Sequence, residues 1–226
     1  MKPWNELPEQ FQTDIVRSYY DSLKKKKISL VLKRIFDIII AFLLIVLLAI
    51  PMLVIAIMIK MDSPGGVFYR QERVTTYGKH FRIFKFRTMV SNADKIGAHV
   101  TSSNDSRVTK VGSKLRDLRL DELPQLFNVI AGDMSFVGTR PEAVRYVEQY
   151  TDEMWATLLM PAGITSEASI LYKDEAALLE NADDADEVYI NKVLPAKMEY
   201  NLKSLKEFSF SKDIITMFKT VKAVLE

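Results

Sequence analysis

Two adjacent carboxylates, Asp121 and Glu122, stand in a stretch rich in guanidinium groups, with Arg116 and Arg119 before them and Arg140 after. Such a pair suits phosphoryl transfer. Mg²⁺ needs only one or two carboxylates plus substrate phosphates, and Glu122 can supply one. The other carboxylate can attack phosphorus and carry it as an aspartyl-phosphate type intermediate. The arginines can fork onto phosphate oxygens and keep the carboxylates ionised. Local spacing predicts a helix here: Asp121 as N-cap, Pro124 in the first turn, Leu123, Leu126, Phe127 and Ile130 on one face, and Gly132 as the stop. Ordinary capping is the competing account of the same two acids.

The elements that must position this pair begin upstream. From Ile35 to Ile59 the only charged side chain is Asp37, and Pro51 lies inside the run. About 25 apolar residues could cross a hydrocarbon core of about 30 Å as one straight helix. Divided at Pro51, the limbs measure about 24 Å and about 12 Å, and the second is too short to cross. Basic residues flank both ends: Lys24 to Lys27, Lys33 and Arg34 before, and Lys60, Arg70 and Arg73 after. Spanning once and dipping back to the same face both remain open on the residues, and the charge bias favours the dip. Asp37 is one turn from Lys33 and Arg34, which would hold it near the interface. Ahead of the run, Leu7, Phe11, Ile15, Tyr19 and Leu23 form a four-residue stripe that predicts an amphipathic helix.

Val67–Val74 and His80–Thr88 are rich in aromatic and β-branched residues and flank Thr75-Thr-Tyr-Gly78, which predicts a β-hairpin. On its second strand Lys85 and Arg87 share a face and can be offered to an anion. From Arg70 to Arg140 there are 13 Lys and Arg against 7 Asp and Glu, a positive patch suited to a polyanionic substrate. Ser102–Asp105 reads as a loop, Glu142–Met160 as helical, Pro161–Ser166 as a loop and Ala168–Tyr172 as a short strand. Ser211 is positioned to cap a last helix with Ile214, Met217, Phe218, Val221 and Leu225 along one face.

Several function classes lack support. The chain has no Gly-rich nucleotide loop, no nucleophile elbow and no cysteine, and its two histidines, His80 and His99, lack ligand spacing. A net charge of +2 over 226 residues says little about partners, and the basic clusters beside an apolar run point to lipid headgroups rather than nucleic acid. Asp184-Ala-Asp186 has the spacing of metal-dependent glycosyltransferases, so such an enzyme stays as an alternative. A membrane-attached scaffold with no catalysis is the other.

Lys33-Arg34 with Asp37, the Pro-interrupted apolar run, Phe68-Tyr-Arg-Gln-Glu-Arg-Val74, Phe84-Lys-Phe-Arg-Thr-Met89, Leu120-Asp-Glu-Leu-Pro-Gln-Leu-Phe-Asn128, Gly132-Asp-Met-Ser135 and Val137-Gly-Thr-Arg-Pro141 follow one another in order. Together they resemble the bacterial sugar transferases, monotopic phosphoglycosyltransferases that begin capsule, exopolysaccharide and O-antigen assembly. The resemblance implies transfer of a sugar 1-phosphate from a UDP-sugar to polyprenyl phosphate with release of UMP. It also implies a re-entrant membrane helix kinked at Pro51, with catalysis on the cytoplasmic face of the inner membrane. Carried over, Asp121 is the nucleophile and Glu122 the Mg²⁺ ligand. Lys85, Arg116 and Arg140 bind phosphate or nucleotide, and Arg87 and Pro141 stand with them as substrate-binding candidates. Two positions depart from the family pattern: Ile50 where serine often precedes the membrane proline, and Thr139 where proline often precedes Arg140.

The expected architecture is α+β. It comprises an amphipathic extension over 1–32, a Pro-broken re-entrant membrane helix over 33–60, and a mostly helical catalytic domain with a β-hairpin over 61–226. The expected partners are the donor, the polyprenyl acceptor and membrane lipids, and a homo-oligomer is compatible with them. Which sugar is transferred is not readable from these residues.

Overall fold

Apolar side chains near both chain ends and in the middle converge on two small sheets in a computed structural model that describes residues 1–93, 105–173 and 184–225. The fold is α+β, as expected. The hairpin forms as strand β1 (Phe68–Val74) antiparallel to β2 (His80–Phe86), in a register that pairs Phe68 with Phe86 and Tyr69 with Lys85. A second sheet, absent from the sequence reading, pairs β3 (Met134–Val137) with β4 (Ala162–Thr165) in parallel. Residues 161–166 were expected as a loop. They pair because Gly138 and Gly163 let two backbones meet: a Cβ on Gly163 would fall 2.2 Å from Gly138 backbone atoms. The segment expected as a strand near Ala168 is instead a short helix, Glu167–Leu171, started by Ser166, whose hydroxyl accepts from Ser169 N.

The extension over residues 1–32 is drawn into the core. Thr13 caps helix α1 (Asp14–Lys24), which buries Val16, Tyr19, Tyr20 and Leu23 against Val147, Ala156, Leu158 and Leu159. Ile15 of the expected stripe faces outward, because Val16, Tyr19, Tyr20 and Leu23 set the buried face and Ile15 lies beside it.

Helix α2 (Lys27–Asp62) is long and apolar enough to cross a membrane. Its helical run continues through Pro51 rather than ending there. One side packs Ala41 on Phe81, Ile83, Leu126 and Val129, and further on Met52, Ile55 and Ile59 on Phe86 and Leu115. The other side exposes Phe42, Leu47, Ile50 and Leu53. Both ends are tied to the domain. Lys33 Nζ donates to Val137 O at 2.7 Å and pairs with Asp213, and Arg34 reaches the carbonyls of Val129 and Ile130 at 2.7 and 3.0 Å. Asp37 therefore has neither basic neighbour as its partner; it accepts from Phe136 N at 3.3 Å. At the far end Asp62 accepts from Val111 N at 2.9 Å.

The rest of the chain is mainly short helices: α3 (Lys110–Asp117), α4 (Gln125–Ala131), α5 (Val144–Val147), α6 (Glu167–Leu171), α7 (Ala185–Val188), α8 (Leu194–Lys206) and α9 (Phe210–Leu225). The helical stretch expected over 142–160 is two pieces, α5 and a 3-10 turn at Met154–Leu159. Ser209, not Ser211, supplies the hydroxyl at the start of α9, accepting from Lys212 N. Along α9, Thr216 is buried and Phe218 and Val221 are exposed. The loop reading at Ser102–Asn104 and the side chain of Leu225 lie outside the described residues.

Candidate active site

The catalytic candidates sit on a 3-10 turn, Leu120–Glu122, that precedes α4, so Asp121 is not an N-cap. Arg119 opens the turn at φ 55°, a left-handed conformation that costs a non-glycine residue energy. Leu120 and Leu123 pack beside the Met52–Ile59 side of α2, which fixes the turn against the apolar helix. Gly132 ends α4 at φ 87°, as its spacing predicts. Asn128 of α4 accepts from Phe84 N at 2.8 Å and donates to Arg82 O at 3.1 Å, locking the turn's helix to β2. The sequence reading gave Asn128 no role, although an amide one turn after Gln125 within an apolar run was a signal.

Two elements deliver cations to Glu122, and a third brings one near Asp121. From β2, Lys85 Nζ donates to Oε1 at 2.7 Å. From the segment after β3, Arg140 forks onto both oxygens, with Nη1 to Oε2 at 3.3 Å. Main-chain bonds of Gly163 N to Thr139 O at 2.8 Å and Gly138 N to Thr165 O at 2.9 Å hold that segment. Arg73, which the sequence reading used only as a flanking charge, donates to Pro141 O at 3.3 Å and braces the segment from behind. Pro141 thus contributes a held carbonyl. From α3, Arg116 Nε donates to Thr88 Oγ1 at 2.9 Å. Gly112 makes that approach feasible, since a Cβ there would lie 2.0 Å from Thr88 O.

Arg87 and Arg119 go elsewhere. Arg87 is buried and donates to Pro64 O at 2.6 Å and Ser63 O at 2.7 Å, closing the end of α2. It is the next residue but one after Lys85, and the strand ends at Phe86, so the two no longer share a face. Arg119 donates to Lys173 O at 3.2 Å.

The two carboxylates are pushed in opposite directions. For Glu122, burial favours the neutral acid, but Arg140 and Lys85 outweigh it and hold the carboxyl well below its ordinary range. For Asp121, burial dominates and raises the pKa, with Glu122 adding to it and Lys85, Arg116 and Arg140 only partly offsetting it. The neighbouring cations therefore dominate at Glu122, whereas at Asp121 burial outweighs them. Burial also lowers the pKa of Lys85, against the pull of Glu122. Asp121 makes no hydrogen bond among the described residues. A carboxylate buried near cations and without a hydrogen bond retains its lone pairs for an incoming group.

The donor set fits Mg²⁺. Glu122 Oε2 accepts the longer Arg140 contact, and Asp121 adds two further hard oxygens. No cluster of three or more metal-ligating side chains occurs among the described residues, so substrate phosphates would have to complete the shell.

The model of the bacterial sugar transferase family matches residues 28–226. The chain belongs to that family. Among relatives of this sugar transferase, a UDP-N-acetylgalactosamine-undecaprenyl-phosphate N-acetylgalactosaminephosphotransferase of Aeromonas hydrophila is 38% identical over 90% of this chain and 46% of its own length. A UDP-glucose:undecaprenyl-phosphate glucose-1-phosphate transferase of Escherichia coli is 39% identical over 84% of this chain and 39% of its own length. The exopolysaccharide production protein ExoY of Sinorhizobium fredii is 31% identical over 85% of this chain and 84% of its own length. This family member spans less than half the length of the first two.

The second acidic pair is already occupied. Asp184 Oδ1 accepts from the N–H groups of Asp186 and Glu187, and Asp186 holds Arg145 and the Tyr146 hydroxyl. That geometry caps a helix and braces α5, and no cluster of metal-ligating side chains forms there among the described residues.

Proposed function

We propose that this sugar transferase moves a sugar 1-phosphate from a UDP-sugar to polyprenyl phosphate and releases UMP, opening glycan assembly at the cytoplasmic face of the bacterial inner membrane. The observation that carries the reading is the buried, hydrogen-bond-free Asp121 beside Glu122, which Lys85 and Arg140 grip. The relatives' names supply the donor and acceptor classes.

An Asp121 oxygen attacks the β-phosphorus of the donor. The bond from that phosphorus to the bridging oxygen breaks, and the electron pair leaves with UMP. A polyprenyl phosphate oxygen then attacks the same phosphorus and returns Asp121 as a carboxylate. Lys85, Arg116 and Arg140 neutralise the diphosphate so that an anionic nucleophile can approach. Glu122, with Asp121 beside it, would hold Mg²⁺, which when bound adds positive charge at the phosphates. Incubation with donor alone should release UMP in a burst of about one per enzyme and leave a sugar phosphate on Asp121, read as intact-protein mass. A chain without adduct, with kinetics that require both substrates together, overturns the covalent route.

The re-entrant course of α2 rests on its two ends docking on one domain, through Lys33 and Arg34 at one end and Asp62 and Arg87 at the other. Fastening of both ends to one domain favours a course that keeps them on the same side of the bilayer. Ile28→Cys and Gly66→Cys should both resist an impermeant thiol reagent in intact cells and react after permeabilisation. Labelling of the first in intact cells refutes the course.

A further inference from the structure

The last helix, α9, carries an apolar stripe that its own packing leaves open. Ile215, Phe218 and Val221 recur three apart, and Phe218 and Val221 are 73% and 59% exposed. Lys212, Lys219 and Lys222 border the stripe at one-turn spacing. The other side of α9 is fastened to the domain: Thr216 is buried, Thr220 Oγ1 meets Thr165 Oγ1 of β4 at 2.8 Å, and Asp213 pairs with Lys33. An apolar ridge flanked by ammonium groups, on a helix whose far side is packed, is the pattern of a helix lying in a membrane interface. Lys212 and Lys219 are held by the exposed Glu207 and Glu167, and such surface pairs are weak enough for a headgroup phosphate to compete with them.

The stripe continues into the apolar surface of α2. The Phe210 ring, at the start of α9, meets the edge of Phe36 at 5.5 Å, and Ile214 and Met217 share a crevice with Phe36 and Asp37. Phe218 and Val221 lie four residues beyond Ile214 and Met217, and so beside them on the helix surface. On α2, Ile39 and Leu43 stand three residues beyond Phe36 and Ile40, and both are exposed. One apolar surface thus runs from Ile39 and Leu43 across the junction of α2 and α9 to Phe218 and Val221. We infer that the bilayer that receives α2 also receives this face of α9, with Phe218 and Val221 at the boundary of acyl chains and headgroups and Lys219 and Lys222 at the phosphates; the inference rests on the membrane course proposed for α2. The contact sets the height of the catalytic domain over the lipid, since Thr165, which α9 grips, also accepts from Gly138 N at 2.9 Å, two residues before Arg140.

The chain has no cysteine, so single spin labels report without background. Phe218→Cys, Val221→Cys, Lys219→Cys and, on α2, Leu47→Cys are labelled one at a time in the full chain. Each is placed in nanodiscs of phosphatidylethanolamine and phosphatidylglycerol and checked by thermal unfolding. Collisions with a water-soluble nickel chelate should be several-fold rarer at the Phe218 and Val221 sites than at the Lys219 site, and collisions with dissolved oxygen several-fold more frequent. Equal access of the chelate to all three sites, with Leu47 shielded, puts α9 in water and overturns the inference while α2 stays in the bilayer. Access of the chelate to the Leu47 site, whatever the others show, means that the membrane reading itself has failed, and the inference falls with it. Dipolar broadening at the Phe218 site that disappears when labelled and unlabelled chains are mixed shows a second copy on the stripe, which also overturns it. If Phe218→Cys does not fold, Val221→Cys decides.

Discussion

The acidic pair at Asp121 and Glu122 and the acidic pair at Asp184 and Asp186 differ less in charge than in what their oxygens are already doing. Asp184 and Asp186 are taken up by helix-capping N–H groups, a guanidinium and a phenol. Glu122 is taken up by cations that could equally bind phosphate, and Asp121 is buried with no hydrogen bond among the described residues. Two acids at short spacing make a candidate site only when folding leaves lone pairs for a substrate and supplies cations for its charge. In the surface pair the N–H groups, the phenol and the one cation, Arg145, serve to cap a helix and brace α5.

The comparison breaks most sharply at Asp121. Asp121→Asn should lower turnover by about 10³-fold or more, read as UMP release. It should also raise stability. An acid whose folded pKa lies above its unfolded value penalises the folded state once it ionises, so a neutral isostere removes a cost of about 1 kcal/mol, or roughly 2–4 °C in thermal midpoint. The same shift predicts a pH profile in the wild type. With burial raising Asp121, kcat/KM should fall on the acid side at a pH above that of an ordinary aspartate, and Arg116→Gln, which removes an offsetting cation, should move that limb higher. A limb at or below the ordinary value would return Asp121 to the class of solvated carboxylates.

Glu122→Gln should cost about 10²-fold in turnover and shift stability in the opposite sense. A depressed folded pKa stabilises the protein above the unfolded value, and this is lost as pH falls through the folded one. Gln forfeits that stabilisation at neutral pH, roughly 1–3 kcal/mol, reduced because Lys85 and Arg140 keep some contact with solvent. Opposite stability changes in adjacent carboxylates, measured by denaturant unfolding, are the signature; equal changes would mean that the two share one environment.

The smallest effect belongs to the other pair. Asp184→Ala should cost about 1 kcal/mol of stability through the lost cap and leave turnover within about twofold. A collapse of turnover with the fold intact would reverse the ranking of the two sites.

Local residue order was enough to mark several of these features. The alternation from Phe68 to Phe86 specified the hairpin, Gly132 the end of α4, and Asp121-Glu122 with Lys85, Arg116 and Arg140 the cluster of charges, because each signal depends on neighbours within one element or on side-chain chemistry. Contacts between distant segments decided the rest. Arg87 left the site because the end of α2 offers carbonyls to close, and Asp37 found a backbone N–H on Phe136 instead of the bases one turn away. Tyr19 and Leu23 became core because Val147 and Ala156 cover them, and β4 formed because Gly138 and Gly163 meet without side chains. The opposite titration of Asp121 and Glu122 is the clearest case: they are neighbours of the same charge in sequence. Only the packed structure buries both and brings Arg140 and Lys85 onto the oxygens of Glu122 alone, so that desolvation wins at one and pairing at the other.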